Sequence, residues 1–136
     1  MRKAGLIAIL ALAGCLEHPG IRPLRPLEIA TAPYQPAAPA ALTGSLMYES
    51  GCLIFRDEQS GALMTPVLPI GSTFNGTALT FHLPGKADQL VAINQEVLLY
   101  GQPLQWATFQ GAAYQPVEHQ CGAYPPFFVA GVRPAD

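Results

Sequence analysis

An all-β domain, a small barrel or sandwich of about five to seven strands, is what residues 42–136 predict. Three observations carry the expectation. Short apolar runs recur through the segment with Gly, Pro and Asn between them. Asn75-Gly76 joins two residue types that tolerate positive φ, which a type I′ hairpin turn demands. The run that follows alternates, with Leu79, Phe81 and Leu83 on one face and Ala78, Thr80 and His82 on the other. That is the period of a half-buried strand.

Leu42–Glu49 and Cys52–Arg56 read as strands around Ser50-Gly51, and Asp57–Gly61 as a polar turn. Leu63–Leu68 is a third strand, stopped by Pro69. Pro66 inside it points to an edge or a bulge, because proline cannot donate to a ladder. Leu90–Ile93 and Val97–Tyr100 read as two strands around Asn94-Gln95-Glu96. A helical stripe through Ala87, Leu90, Val91, Val97 and Leu98, stopped by Gly101, also fits 86–100. Asn94 would fall inside that stripe, which favours the strands. Leu104–Phe109 suits a short helix, and Phe127–Val132 is the closing strand.

Several short motifs run through this domain: Gly44-Ser45-Leu46, Gly51-Cys52-Leu53-Ile54-Phe55, Pro66-Val67-Leu68-Pro69-Ile70-Gly71-Ser72, and the ending Cys121-Gly122 with Phe127-Phe128-Val129-Ala130-Gly131. Together they are similar to a motif series in small, uncharacterised bacterial envelope proteins. Those proteins look like compact OB-like barrels, so the resemblance implies that fold over most of 42–132. The chain departs at 94–101, where Asn94-Gln95-Glu96 and Leu99-Tyr100 replace a Gly-rich stretch. The resemblance implies a fold and no activity.

The N-terminus has its own signature. Arg2 and Lys3 precede an uncharged run, Ala4–Ala13, of the length of a signal-peptide core and too short to span a bilayer. It ends in Leu12-Ala13-Gly14-Cys15, which resembles the lipobox of bacterial lipoproteins. Small side chains before the cut let the extended backbone enter a peptidase cleft, and the Cys15 thiol is the nucleophile that accepts lipid. The resemblance implies that residues 1–14 are removed and that Cys15 carries acyl chains. Each buried methylene contributes about 0.8 kcal/mol to membrane binding, so two or three chains anchor stably. Leu16 rather than Asp follows Cys15. In a Gram-negative organism that favours the periplasmic face of the outer membrane.

Residues 15–41 read as the lipidated Cys and a Pro/Ala-rich linker. Pro19, Pro23, Pro26, Pro33, Pro36 and Pro39 fall here, a spacing that favours extended polyproline II. Fully extended, such a linker would reach roughly 80 Å and hold the domain off the membrane.

Of three cysteines, lipidation of Cys15 leaves Cys52 and Cys121. An exported domain meets an oxidising compartment, so a Cys52–Cys121 disulfide is expected. Two alternatives use His119: as a metal ligand with both cysteines, or as a base for a nucleophilic Cys121. Local ligand pairs of the usual zinc spacing are missing for the first, and an orienting third group for the second. No Gly-rich phosphate loop, HExxH or G-x-S-x-G motif occurs, so no cofactor, metal or catalytic set is expected.

Composition narrows the function. Only 12% of residues are charged and the net charge is −2, which excludes a basic nucleic-acid footprint and wholesale disorder. Within 42–136, 45 of 95 residues are hydrophobic, and three basic residues face seven acidic ones. A domain so sparse in charge either covers itself with small polar residues or keeps apolar surface for a partner. Half of the twelve aromatics fall in 106–128. Trp106, Phe109, Tyr114 and Tyr124 are the candidate partner-binding face, with burial in a core as the competing reading. The expectation is a lipid-anchored, non-enzymatic binding or structural module of the cell envelope. Its partners would be the membrane and another envelope protein or cell-wall glycan, with no nucleic acid. An inhibitor of a cell-wall hydrolase is the alternative, and an envelope enzyme a more distant one.

Overall fold

The apolar runs do form strands, and the turns between them decide how those strands meet. A computed structural model describes residues 21–36, 40–108 and 115–135. In chain order its strands are β1 (Ala30–Ala32), β2 (Ala40–Glu49), β3 (Cys52–Asp57), β4 (Leu63–Pro69), β5 (Thr73–Phe74), β6 (Ala78–Phe81), β7 (Gln89–Ala92), β8 (Val97–Pro103) and β9 (Pro126–Pro134). A 3-10 turn, Trp106–Thr108, and a short helix, α1 (Gln115–Cys121), lie between β8 and β9.

β2, β3 and β4 are an antiparallel meander, and β8 returns to lie beside β2. Three consecutive strands with the fourth beside the first is a Greek key. β9 then pairs antiparallel with β8 and parallel with β4, which closes the five strands into a small barrel. The expected all-β architecture is the observed one. β5, β6 and β7 form a separate three-stranded sheet. Phe74, Leu79, Phe81 and Val91 of that sheet share one core with Leu46, Phe55, Leu68, Leu99 and Val129 of the barrel, so the second sheet plugs the barrel. The remaining interior void is about 10 Å³ and its lining is wholly apolar. The barrel interior is a packed core, as in small barrels generally, and holds no ligand chamber.

Closing so small a barrel brings backbones close at two glycines. A Cβ on Gly44 would overlap the Arg56 carbonyl oxygen, and one on Gly101 the Phe128 carbonyl oxygen. Gly101 also adjoins the bulge where the β8–β9 register shifts. Glycine at a tight barrel bend is the expected solution.

A second apolar layer lies outside the barrel wall. Cys52 and Ile54 of β3, Val67 of β4, and Phe128 and Ala130 of β9 point away from the interior core. They pack with Ala30 and Ala32 of β1 and with Val117 and Cys121 of α1. The Cys52–Cys121 disulfide, with Cα atoms 5.8 Å apart, crosses this layer. The buried Thr65 hydroxyl donates to the Tyr124 carbonyl at 2.9 Å and ties the segment after α1 to β4.

Several expectations need correction. The linker does not extend to residue 41. β1 pairs parallel with β4 through Ala30↔Val67, Thr31↔Leu68 and Ala32↔Pro69, and both alanines are 2% exposed. The segment before β1 is structured too. The Arg22 guanidinium makes a two-point ion pair with Glu28, Nη1 to Oε1 at 2.8 Å. The Leu27 amide donates to the Tyr48 hydroxyl at 3.2 Å. Proline content hid this, because Ala30-Thr31-Ala32 is too short to show a period.

Pro66 is neither at an edge nor in a bulge. It is buried within β4, where pairing with β3 ends at Met64 and pairing with β1 begins at Val67. Amides of alternate residues face that side, as the Ile70 amide donating to the Ala32 carbonyl confirms. The missing N–H of Pro66 therefore falls in the gap between two partners and costs no ladder bond.

In the hairpin, only Gly76 of the Asn-Gly pair has positive φ, at 101°. The turn is instead held by the Asn75 side chain, whose Oδ1 accepts from the Thr77 and Ala78 amides at 2.9 and 2.8 Å. The 86–100 stretch is strands. They do not pair with each other: β7 joins β6, and β8 joins β2 and β9. The helix expected at 104–109 is present as the 3-10 turn, with Phe109 outside the described residues. β1 and β5 bring the described strands to nine, above the range expected.

Two stability predictions follow from this layer. A chain beginning at Ala40 lacks β1 and its three paired residues, so its melting temperature falls by the equivalent of about 1 kcal/mol for each strand hydrogen bond lost. A pure linker would leave the melt unchanged. Replacing Cys52 and Cys121 together by Ala removes a cross-link between residues 69 apart. By the chain-entropy relation this lowers unfolding free energy by on the order of 4 kcal/mol, measurable by urea titration with and without reductant.

Candidate functional site

The candidate aromatic face divides. Trp106 and Tyr124 are half-buried and pack against the outer core. Phe127 and Phe128 are buried outright. Phe109, Tyr114 and Cys15, the residue expected to carry lipid, lie outside the described residues. The late aromatics thus largely cover the disulfide-containing layer. The large side chains that do reach solvent are elsewhere, led by Leu90 at 70% and Ile70 at 59% exposure.

A better-furnished surface feature is a groove of about 560 Å³ between the β6–β7 loop and the outer side of β8 and β9. Its chemistry comes from Tyr34, Leu83, Lys86, Asp88, Tyr100 and Arg133. Strand alternation places the groups. Val97 and Leu99 of β8 face the interior, so Leu98 and Tyr100 face out, and Tyr100 lies opposite Gly131 of β9. The Arg133 guanidinium stacks over the Tyr100 ring, 5.1 Å from its centroid, and hydrogen-bonds the Tyr100 hydroxyl. Gln102 Nε2 donates to Gln35 Oε1 at 2.9 Å and fastens the chain next to Tyr34. At the loop wall His82 Nδ1 pairs with Asp88 Oδ1 at 2.8 Å.

A second, smaller cleft of about 280 Å³ gathers Gly44, Ser45, Arg56, Glu58, Asn94 and Glu96. The Glu58 amide donates to the Thr43 carbonyl at 2.8 Å, and the Asn94 amide to the Leu46 carbonyl at 2.9 Å. These bonds bring two acidic side chains onto one side of the barrel. The Glu58 carboxyl is pushed above the usual carboxylate range, first by its hydrogen bond to Glu96 and then by that group's charge. Such a pair shares a proton in acid and repels when both groups ionise.

The two described histidines lie apart from each other, His82 beside Asp88 and His119 on α1. His119 of α1 lines a separate shallow cleft with Ile21, Gln115 and Glu118, and both cysteine sulfurs are in the disulfide. Among the described residues no group of three or more His, Cys, Asp or Glu is placed to hold a metal ion. No described helix is long and apolar enough to cross a membrane.

Sequence reasoning passed over the groove because Tyr34 falls in the presumed linker and Tyr100 in a strand with no motif. The signal that was available is scarcity. Residues 42–136 contain only Arg56, Lys86 and Arg133 as basic groups, and two of these three line this groove. No family model, curated protein or solved structure matches the chain.

The acidic pair yields a pH-dependent prediction. A carboxyl whose folded pKa is raised favours the folded state when protonated, and that contribution is lost as pH rises through the folded value. Glu96→Gln therefore raises the melting temperature at pH 7, where it removes repulsion. Below the carboxylate range, where both carboxyls are protonated and no repulsion remains, it leaves the melt unchanged. Scanning calorimetry of both chains across pH 3 to 8 checks the crossover.

Proposed function

We propose that this chain is a bacterial lipoprotein of the cell envelope, whose OB-like barrel is a non-enzymatic binding module held by acyl chains on Cys15. The observation that carries the reading is the ordered set of Arg2-Lys3, the uncharged run to Ala13, and the box Leu12-Ala13-Gly14-Cys15. Signal core, small residues and acceptor thiol stand in the order that export and lipidation require. Two cysteines held as a disulfide agree with an oxidising destination. The OB-like description rests on a five-stranded Greek-key barrel, which is the architecture of that fold.

Binding is favoured over catalysis because the groove offers aromatic and basic groups, whereas the titratable residues that chemistry would need lie in different clefts. The tether in this reading is short. Leu24 already packs against the outer core, and covalent geometry limits the chain from Cys15 to Leu24 to roughly 30 Å. The module therefore works close to the bilayer surface. Leu16 after the acylated Cys15 favours the outer membrane where the organism has one.

The test is Cys15→Ser. The wild-type chain should incorporate labelled palmitate and fractionate with membranes. The variant should incorporate none and remain uncut or be released in soluble form. A variant that sediments with membranes like the wild type overturns the lipoprotein reading.

A further inference from the structure

We infer that the groove between Tyr34, Lys86, Tyr100 and Arg133 is a binding site for a saccharide bearing a carboxylate. This deepens the binding-module reading and is independent of the lipid anchor.

Charge distribution is the first argument. Residues 42–136 have three basic residues against seven acidic ones, and the structured segment before them adds Arg22 and Arg25 with Glu28, so basic side chains have an excess of carboxylates available as partners. Among the described residues neither Lys86 nor Arg133 pairs with one. Both instead face the same groove. The third basic residue, Arg56, shares its cleft with Glu58 and Glu96. Two cations left together in an acidic domain mark a place for an external anion.

Arg133 is also held ready. Its guanidinium is fixed over the Tyr100 ring and hydrogen-bonded to the Tyr100 hydroxyl, which reduces the entropy lost on binding. A guanidinium has five donors in a planar fork, and a carboxylate matches it with two parallel bonds. Asp88, the one acidic wall residue, has an oxygen engaged by His82 at 2.8 Å.

The remainder of the groove suits a sugar ring. Tyr34, 39% exposed, supplies a flat apolar face with a hydroxyl tip, as a ring with one C–H face and a polar rim requires. Gly131 lies opposite Tyr100, and a Cβ there would sit 3.6 Å from the ring, an ordinary contact. Packing does not demand this glycine, and its lack of a side chain keeps the floor open. The groove volume of about 560 Å³ falls within the usual range for small-ligand sites. An extended peptide is disfavoured because strand addition needs a free sheet edge. This holds for the barrel wall of the groove, where β8 is paired on both sides, to β2 and β9, and β9 to β8 and β4; β7, whose Gln89 lines the opposite wall, pairs only with β6.

The test titrates the full chain in detergent with tri-galacturonate, its methyl ester and inorganic phosphate, read by calorimetry. Saturable, salt-sensitive binding of tri-galacturonate is expected, with the neutral ester bound at least about tenfold more weakly. Arg133→Gln and Lys86→Gln should each weaken binding, Arg133→Gln by about tenfold, and Tyr34→Ala should weaken both saccharides. Melting curves of the variants show whether each is folded, and Lys86→Gln, in a loop, serves if Arg133→Gln perturbs β9. Equal binding of acid and ester, wild-type affinity in both charge variants, displacement of the saccharide by equimolar phosphate, or no binding overturns the proposal. Membrane retention of wild-type chain in the same preparation reads the anchor separately, so either reading can fail alone.

Discussion

Three strands of this barrel bury apolar side chains on both faces, and most of the architecture follows from that. Leu53 and Phe55 of β3 point into the barrel while Cys52 and Ile54 point out; Leu68 and Val67 of β4 divide the same way, as do Val129 and Phe128 of β9. A strand apolar on both sides needs cover on both sides. The plug sheet supplies it within. β1, α1 and the half-buried Trp106 and Tyr124 supply it without. The disulfide joins wall to cover where the outer layer has few side chains of its own. The low charge content, which by itself suggests apolar surface kept for a partner, is explained in large part by this second core.

The fold was legible where a residue type has one structural use. Alternation marked β6, breakers separated β2, β3 and β4, and the cysteine arithmetic paired Cys52 with Cys121. Legibility failed where tertiary context assigns the role. Ala30-Thr31-Ala32 lies among prolines and is a strand only because β4 offers an edge beside Pro66. Pro66 reads as a ladder breaker until two strands are seen to end and begin around it. The Asn-Gly turn was placed correctly, but the side chain of Asn75 joins its backbone amide in the closure.

The candidate site was less legible for the same reason. The sequence advertises clustered aromatics between 106 and 128, and clustering in sequence reflects a segment folded over a core as readily as a surface. The groove draws Tyr34, Lys86, Tyr100 and Arg133 from four separated stretches. No spacing rule connects them. What does connect them is the rarity of basic residues, which carries meaning only once three-dimensional neighbours are known.

β1 joins two things that a flexible linker would keep apart. The chain that leaves it reaches Tyr34, a wall of the groove, within two residues; the chain that enters it would come, on the proposed lipoprotein reading, from the membrane side. If Cys15 is acylated and the groove occupied, as proposed, a pull applied through the ligand and resisted by the membrane would load this short parallel pairing. Peeling β1 from β4 would carry Tyr34 away with it. On that proposal attachment and grip would be mechanically in series through a strand three residues long.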